Sequence, residues 1–92
     1  MTPKTIELRV LTREGLVLDD QATSIIAPGE LGYLGILHNH AALVTTLVPG
    51  KLTWRQLSGG TRVMRIGSGL LEIAQNRLTI LTTALTEPAA SA

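Results

Sequence analysis

Two histidines, His38 and His40, stand two residues apart between apolar segments, and few other residues in the chain are suited to chemistry. On an extended segment both rings would face one side, as a shared ligand requires. Zinc needs at least three protein ligands, and copper wants a further donor close by. The other candidates, such as Glu30, come from the same glycine-rich segment. Two readings follow. The pair belongs to a small β-barrel that binds a metal or small ligand through His38 and His40, or to a polar loop that hydrogen-bonds to backbone or to a partner. The second is preferred, with no metal and no cofactor expected.

The remaining chemistry-like patterns fail on spacing. Gly29, Gly32 and Gly35 recur every third residue, but the dinucleotide fingerprint needs G-x-G-x-x-G between a strand and a helix. Pro49-Gly50-Lys51-Leu52 offers the Gly-Lys of a phosphate loop. Thr45 takes the leading glycine position, however, and Leu52 stands where Ser or Thr must hold magnesium. Gly67-Ser68-Gly69 is not a nucleophile elbow; it reads as a point where two strands cross closely or turn. Carboxylates are few, Asp19-Asp20 reads as a turn, and nothing suggests a buried acid for paired-carboxylate catalysis. Trp54 shares a strand with Leu52 and is expected in the core rather than at an interface centre. No catalytic residue is expected.

The elements that must carry these residues are strands. Ile6, Leu8 and Val10 alternate with Thr5, Glu7 and Arg9, the pattern of a half-buried strand. Arg13-Glu14-Gly15 reads as a turn, Leu16 to Leu18 as a short strand, and Ala22 to Ala27 as another that stops at Pro28-Gly29. Leu43 to Val48 ends at Pro49-Gly50. Lys51 to Leu57 and Arg62 to Ile66 flank a Ser58-Gly59-Gly60 hairpin loop. Arg62 shares parity with Met64 and Ile66, which suggests a bulge there. Leu71 and Ile73 share a face, Gln75-Asn76 turns the chain, and Leu78 and Ile80 face inward. Turn signals at roughly 8–12-residue spacing predict an all-β sandwich or barrel. The domain is expected over residues 1–85, with 86–92 a short flexible tail.

Composition narrows the function. Ninety-two residues suit one small domain, and 45% hydrophobic against 16% charged residues argues against disorder. The core must be aliphatic, since Tyr33 and Trp54 are the only aromatics. A net charge of +1 steers neither nucleic acid nor anionic lipid, and two aromatics make no base-stacking platform. Without cysteine there is no disulfide, Fe–S cluster or thiolate zinc site. No apolar run approaches a membrane span, so membrane association is expected only through a partner.

Several motifs then fall in a specific order. Thr12-Arg13-Glu14-Gly15, Gly29-Glu30-Leu31-Gly32, Gly35 to Leu43 and Leu47-Val48-Pro49-Gly50 are followed by the block Gly69 to Leu81. In order and spacing over residues 6–85 they resemble the N-terminal domain of the epsilon subunit of F-type ATP synthase. The resemblance implies a flattened β-sandwich of about ten short strands. It also implies a non-catalytic central-stalk subunit that grips the gamma subunit, rests on the c-ring, rotates with both and helps couple ion flow to ATP synthesis. Its implied place is the cytoplasmic face of the bacterial inner membrane, peripheral, as part of F1.

Carried over by motif, His38, His40 and Thr45 are the candidate gamma-side residues, and Glu30 and Tyr33 the candidate ring-side residues. The family's acidic ring-facing position maps onto Glu30 by motif but onto Tyr33 by counting back from Gly35, because about three extra residues stand between the two motifs. His38 and Ala42 replace the usual prolines, which should loosen the loop. Typical members continue into a C-terminal helical hairpin, and this chain stops about seven residues after its last expected strand. The expectation is a subunit that assembles and couples without self-inhibiting or sensing ATP.

Overall fold

Alternation sets the first strand, and pairing on both of its edges makes it an interior strand of a layer. The computed structural model describes residues 4–88. Among them are nine strands and no helix: β1 (Ile6–Thr12), β2 (Gly15–Gly29), β3 (Gly32–Leu37), β4 (Leu43–Leu47), β5 (Gly50–Gln56), β6 (Thr61–Ile66), β7 (Gly69–Ala74), β8 (Arg77–Thr82) and β9 (Leu85–Thr86). One layer runs β2–β1–β8–β7–β4, with β1 antiparallel to β2 and parallel to β8. The other runs β3–β2–β5–β6–β9. The flattened sandwich expected from the sequence is therefore present.

β2 belongs to both layers, which explains its 15 residues. Its first half pairs with β1 and its second with β3 and β5. The register shifts between Ala22 and Ser24. That irregularity exchanges the inward parity: Ala22 is buried before it, Ile25 and Ala27 after it. Without the extra residue, one half of the strand would turn its apolar side chains to solvent.

Two expectations need correction here. Asp19-Asp20 is not a turn but continuous β2 strand. Asp20 shares the inward parity of Ala22, and its Oδ2 accepts hydrogen bonds from Trp54 Nε1 at 2.8 Å and Gln56 Nε2 at 3.0 Å. Nor does β6 bulge, since its register with β5 is regular from Thr61 to Ile66. Arg62 keeps the parity of Met64 and Ile66 because it pairs with Trp54 and lays its guanidinium over the indole, 5.2 Å from the ring centroid.

The core is aliphatic, as composition requires: Ile, Leu, Val and Ala from both layers, with Met64 and the buried Trp54. Gln75 and Asn76 both have positive φ (51° and 61°), the tight turn expected between β7 and β8. Gly69 marks the expected close crossing. A Cβ there would stand 2.9 Å from the Leu81 carbonyl carbon and closer still to its oxygen. β9 ends at Thr86, and residues 89–92 of the expected tail lie outside the described residues.

Candidate partner-binding surfaces

The glycine-rich segment contains a strand, β3. Gly29 pairs with Gly32 to close a two-residue turn of Glu30 and Leu31, with Gly32 at φ 126°. The residues that looked like an insertion, from Gly32 to Leu34, are regular β3 strand. Glu30 is anchored on the turn: its Oε2 accepts from Thr46 Oγ1 at 2.5 Å, and its N–H donates to the Thr46 carbonyl at 3.2 Å. Leu31 is the fully exposed tip, and Tyr33 is exposed on the outward face of β3. Glu30 and Tyr33 thus share one end of the molecule, separated by an apolar side chain with no intrachain cover.

The histidines lie past the other end of β3, about 20 Å away along six residues of strand. They are not on an extended segment. His38 and His40 flank Asn39, which is left-handed at φ 66°, and His40 N–H donates to the Leu37 carbonyl at 3.2 Å. His40 Nδ1 lies 2.6 Å from the Ala41 carbonyl oxygen, to which an Nδ1–H donates. Both rings are half-buried. Among the described residues, no group of three or more His, Cys, Asp or Glu could hold a metal ion.

Thr45 sits differently from its neighbours. It shares inward parity with the buried Leu47 and is half-buried, while Val44 and Thr46 project outward. The geometry thus brings Glu30 and Tyr33 together, brings His38 and His40 together, and turns Thr45 toward the interior.

Sequence reasoning missed the outer face of the β2–β1–β8–β7–β4 layer. Register aligns Thr46, Leu70, Leu81, Leu11 and Leu16 in one row across five strands. Leu70 and Leu81 are about half exposed and line a shallow groove of about 420 Å³ with Leu11 and Ser68. The next row is mixed: Val44, Glu72, Thr79, Arg9 and Asp19, with Arg9 Nε buried and unpartnered. A third row holds the Arg77–Glu7 ion pair at 3.1 Å. This face therefore grades from apolar near the Glu30 end to charged near the Asn76 turn. Its signal in the sequence was the doubled pairs Val10-Leu11, Leu70-Leu71 and Ile80-Leu81, where strict alternation would put a polar residue.

Residues 5–88 match the beta-sandwich domain of the ATP synthase delta/epsilon chain. The chain belongs to that family. It is similar to the ATP synthase epsilon chain of Acidithiobacillus ferridurans, with 42% identity over 78 residues, covering 84% of this chain and 54% of the relative. The epsilon chain of Koribacter versatilis is 37% identical over 84 residues, covering 91% of this chain and 58% of the relative. The chain thus spans about half the length of the curated relatives it matches. Among solved structures, the fold superposes on a chain of the Euglena gracilis mitochondrial ATP synthase (OSCP/F1/c-ring) with a TM-score of 0.85 at 22% identity, covering 94% of this chain and 55% of that one. A chain of the Tetrahymena thermophila mitochondrial ATP synthase central stalk and c-ring gives 0.73 at 19% identity, with 95% and 69% covered. Those likenesses establish the shared fold.

Proposed function

We propose that this domain is the non-catalytic rotor element of an F-type ATP synthase. It grips gamma with one surface, rests on the c-ring with another, and helps couple ion translocation to ATP synthesis. The observation that carries the reading is the family match over nearly the whole described chain, joined to a stiff sandwich with adhesive patches. A part that transmits torque needs a body that does not shear. A β2 strand shared by both layers supplies it.

On this reading the ring side is the β2–β3 turn, with Glu30 held by Thr46, Leu31 projecting and Tyr33 beside it. The gamma side is the His38–His40 turn together with the outer face carrying Leu70 and Leu81. Thr45 supports that surface from beneath. The working location is the cytoplasmic face of the bacterial inner membrane, where the domain is held by its partners.

Calorimetric titration into the gamma subunit of the same organism tests the proposal, with His40→Ala and Leu81→Glu variants in parallel. One-to-one binding weakened by both substitutions is the expected result. Absence of binding to a folded gamma subunit overturns the rotor reading.

A further inference from the structure

Strand β3 has one neighbour among the described residues, β2, and its other edge is open. The hydrogen-bond phase of that edge follows from the turn. Pro28 C=O and Glu30 N–H bond toward β4, so Gly29 turns its own groups to β3. Antiparallel alternation then directs Gly32, Leu34 and Ile36 at β2, and Tyr33, Gly35 and Leu37 outward. The Leu37 carbonyl accepts from His40. The N–H and C=O of Tyr33 and Gly35, with the Leu37 N–H, form an open ladder.

This edge lacks the usual protection. Exposed edge strands are blunted by charges, proline or bulges, because an open ladder invites another strand. β6, which β9 covers only at Arg65 and Ile66, carries Arg62 and Arg65. β3 carries no charge, no proline and no register shift from Gly32 to Leu37. Its outward face is apolar, with Tyr33 62% and Leu37 63% exposed beside Ile26 of β2.

Gly35 supplies an independent observation. Its φ lies outside the left-handed region, and a Cβ built there meets nothing within 4 Å. The fold of the single chain does not require glycine at this position, and glycine inside a strand costs stability. A bare position in mid-strand is useful where another backbone approaches closely.

We propose that the β3 edge is a self-pairing surface, on which a second copy of this chain adds antiparallel about a twofold axis through Gly35. Only residues with outward groups can exchange bonds, so the register must pair 33, 35 and 37 among themselves. Pairing Gly35 with Gly35, with each Leu37 N–H donating to the other copy's Tyr33 carbonyl, engages all three positions at once. Every other allowed register engages fewer. The same register sets each Tyr33 ring against the other copy's Leu37, an aromatic–aliphatic cross-strand pair, and leaves room over the two glycines for Ile26. A contact made through one short strand edge is weak and reversible. It covers Tyr33, so this dimer and the proposed ring contact exclude one another.

Sedimentation equilibrium of the whole chain across the micromolar to millimolar range tests the proposal, using Gly35→Lys, Gly35→Glu and Gly35→Gln. A Cβ at position 35 meets nothing within 4 Å in the monomer, and circular dichroism checks that each variant folds. The wild type should dimerise reversibly, and Gly35→Gln, which fills the bare position without adding charge, should dimerise more weakly and sets the baseline for the charged variants. Lys or Glu alone sets like charges face to face on the axis and should weaken the dimer by about a further tenfold. Mixing the Lys and Glu variants should restore a heterodimer, a result that only an axis at residue 35 produces. A wild type that stays monomeric throughout, a Lys variant that dimerises like the wild type, or a mixture that fails to pair overturns the proposal.

Discussion

Asn39 and Asn76, 37 residues apart and both left-handed, clasp each other. The Asn39 N–H donates to Asn76 Oδ1 at 2.6 Å, and Asn76 Nδ2 donates to Asn39 Oδ1 at 3.0 Å. The Asn76 carbonyl also accepts from Glu7 N–H at 2.9 Å. The histidine turn is thus pinned to the β7–β8 turn and to the start of β1. This side-chain clasp holds the histidine loop to the body of the sandwich.

That clasp can be separated from backbone strain. Asn39→Gly keeps the left-handed backbone accessible and removes only the bond that Asn39 Oδ1 accepts, since the backbone N–H still donates to Asn76, whereas Asn39→Ala removes that bond and adds left-handed strain. Chemical denaturation should show a loss of about 1 kcal/mol for Asn39→Gly and about 2 for Asn39→Ala. A double cycle with Asn76→Gly should give a coupling of about 0.5–1.5 kcal/mol. Additive losses would show that the two turns are independent.

Asp20 makes stability depend on pH. Burial by itself would raise its carboxyl, but hydrogen bonds from Trp54, Gln56 and the Gln21 backbone, with the charge of Arg62, hold it below the ordinary carboxylate range. A depressed folded-state value means the contribution is complete above the unfolded pKa and disappears as pH falls through the folded one. Acid titration should therefore cost the wild type more stability than Asp20→Asn between neutral pH and the acidic limit. At neutral pH the variant should be less stable by about 1–2 kcal/mol, with a shifted Trp54 emission. Equal acid sensitivity in both proteins would remove Asp20 from the account.

The two strand glycines should respond in opposite ways. Gly69→Ala drives a methyl group into the Leu81 carbonyl and should cost more than about 2 kcal/mol. Gly35→Ala meets open space in the monomer and should be neutral or stabilising by up to about 1 kcal/mol. Thermal melts at low concentration, where self-association is absent, make the comparison.

The apolar row should matter for association and not for folding. Leu70 and Leu81 are about half exposed, so Leu81→Glu should change the melting free energy by no more than about 0.5 kcal/mol. The same change should weaken gamma binding by about tenfold or more, because it sets a charge in a desolvated contact. An unchanged affinity would move the gamma contact off this face.

Local chemistry was enough to make most of the fold legible. Alternation at Ile6, Leu8 and Val10 and at Leu78 and Ile80 identified half-buried strands, because a period of two has one solution in a sheet. Gln75-Asn76 and Ser58-Gly59-Gly60 announced their turns through Asn76 and Gly59, residue types that tolerate positive φ. Motif order over residues 6–85 sufficed for the family. Tertiary structure decided what depends on distant partners. Asp19-Asp20 has the composition of a turn, yet it stays in strand because Asp20 is held by Trp54 and Gln56, more than thirty residues away. Three glycines in seven residues concealed β3, which is held by pairing with β2 and by the buried Ile36. The row from Thr46 to Leu16 exists only because register aligns five strands, one of them parallel. Alternation tells which residues share a face, but the register of pairing between strands distant in the chain decides which of them become neighbours.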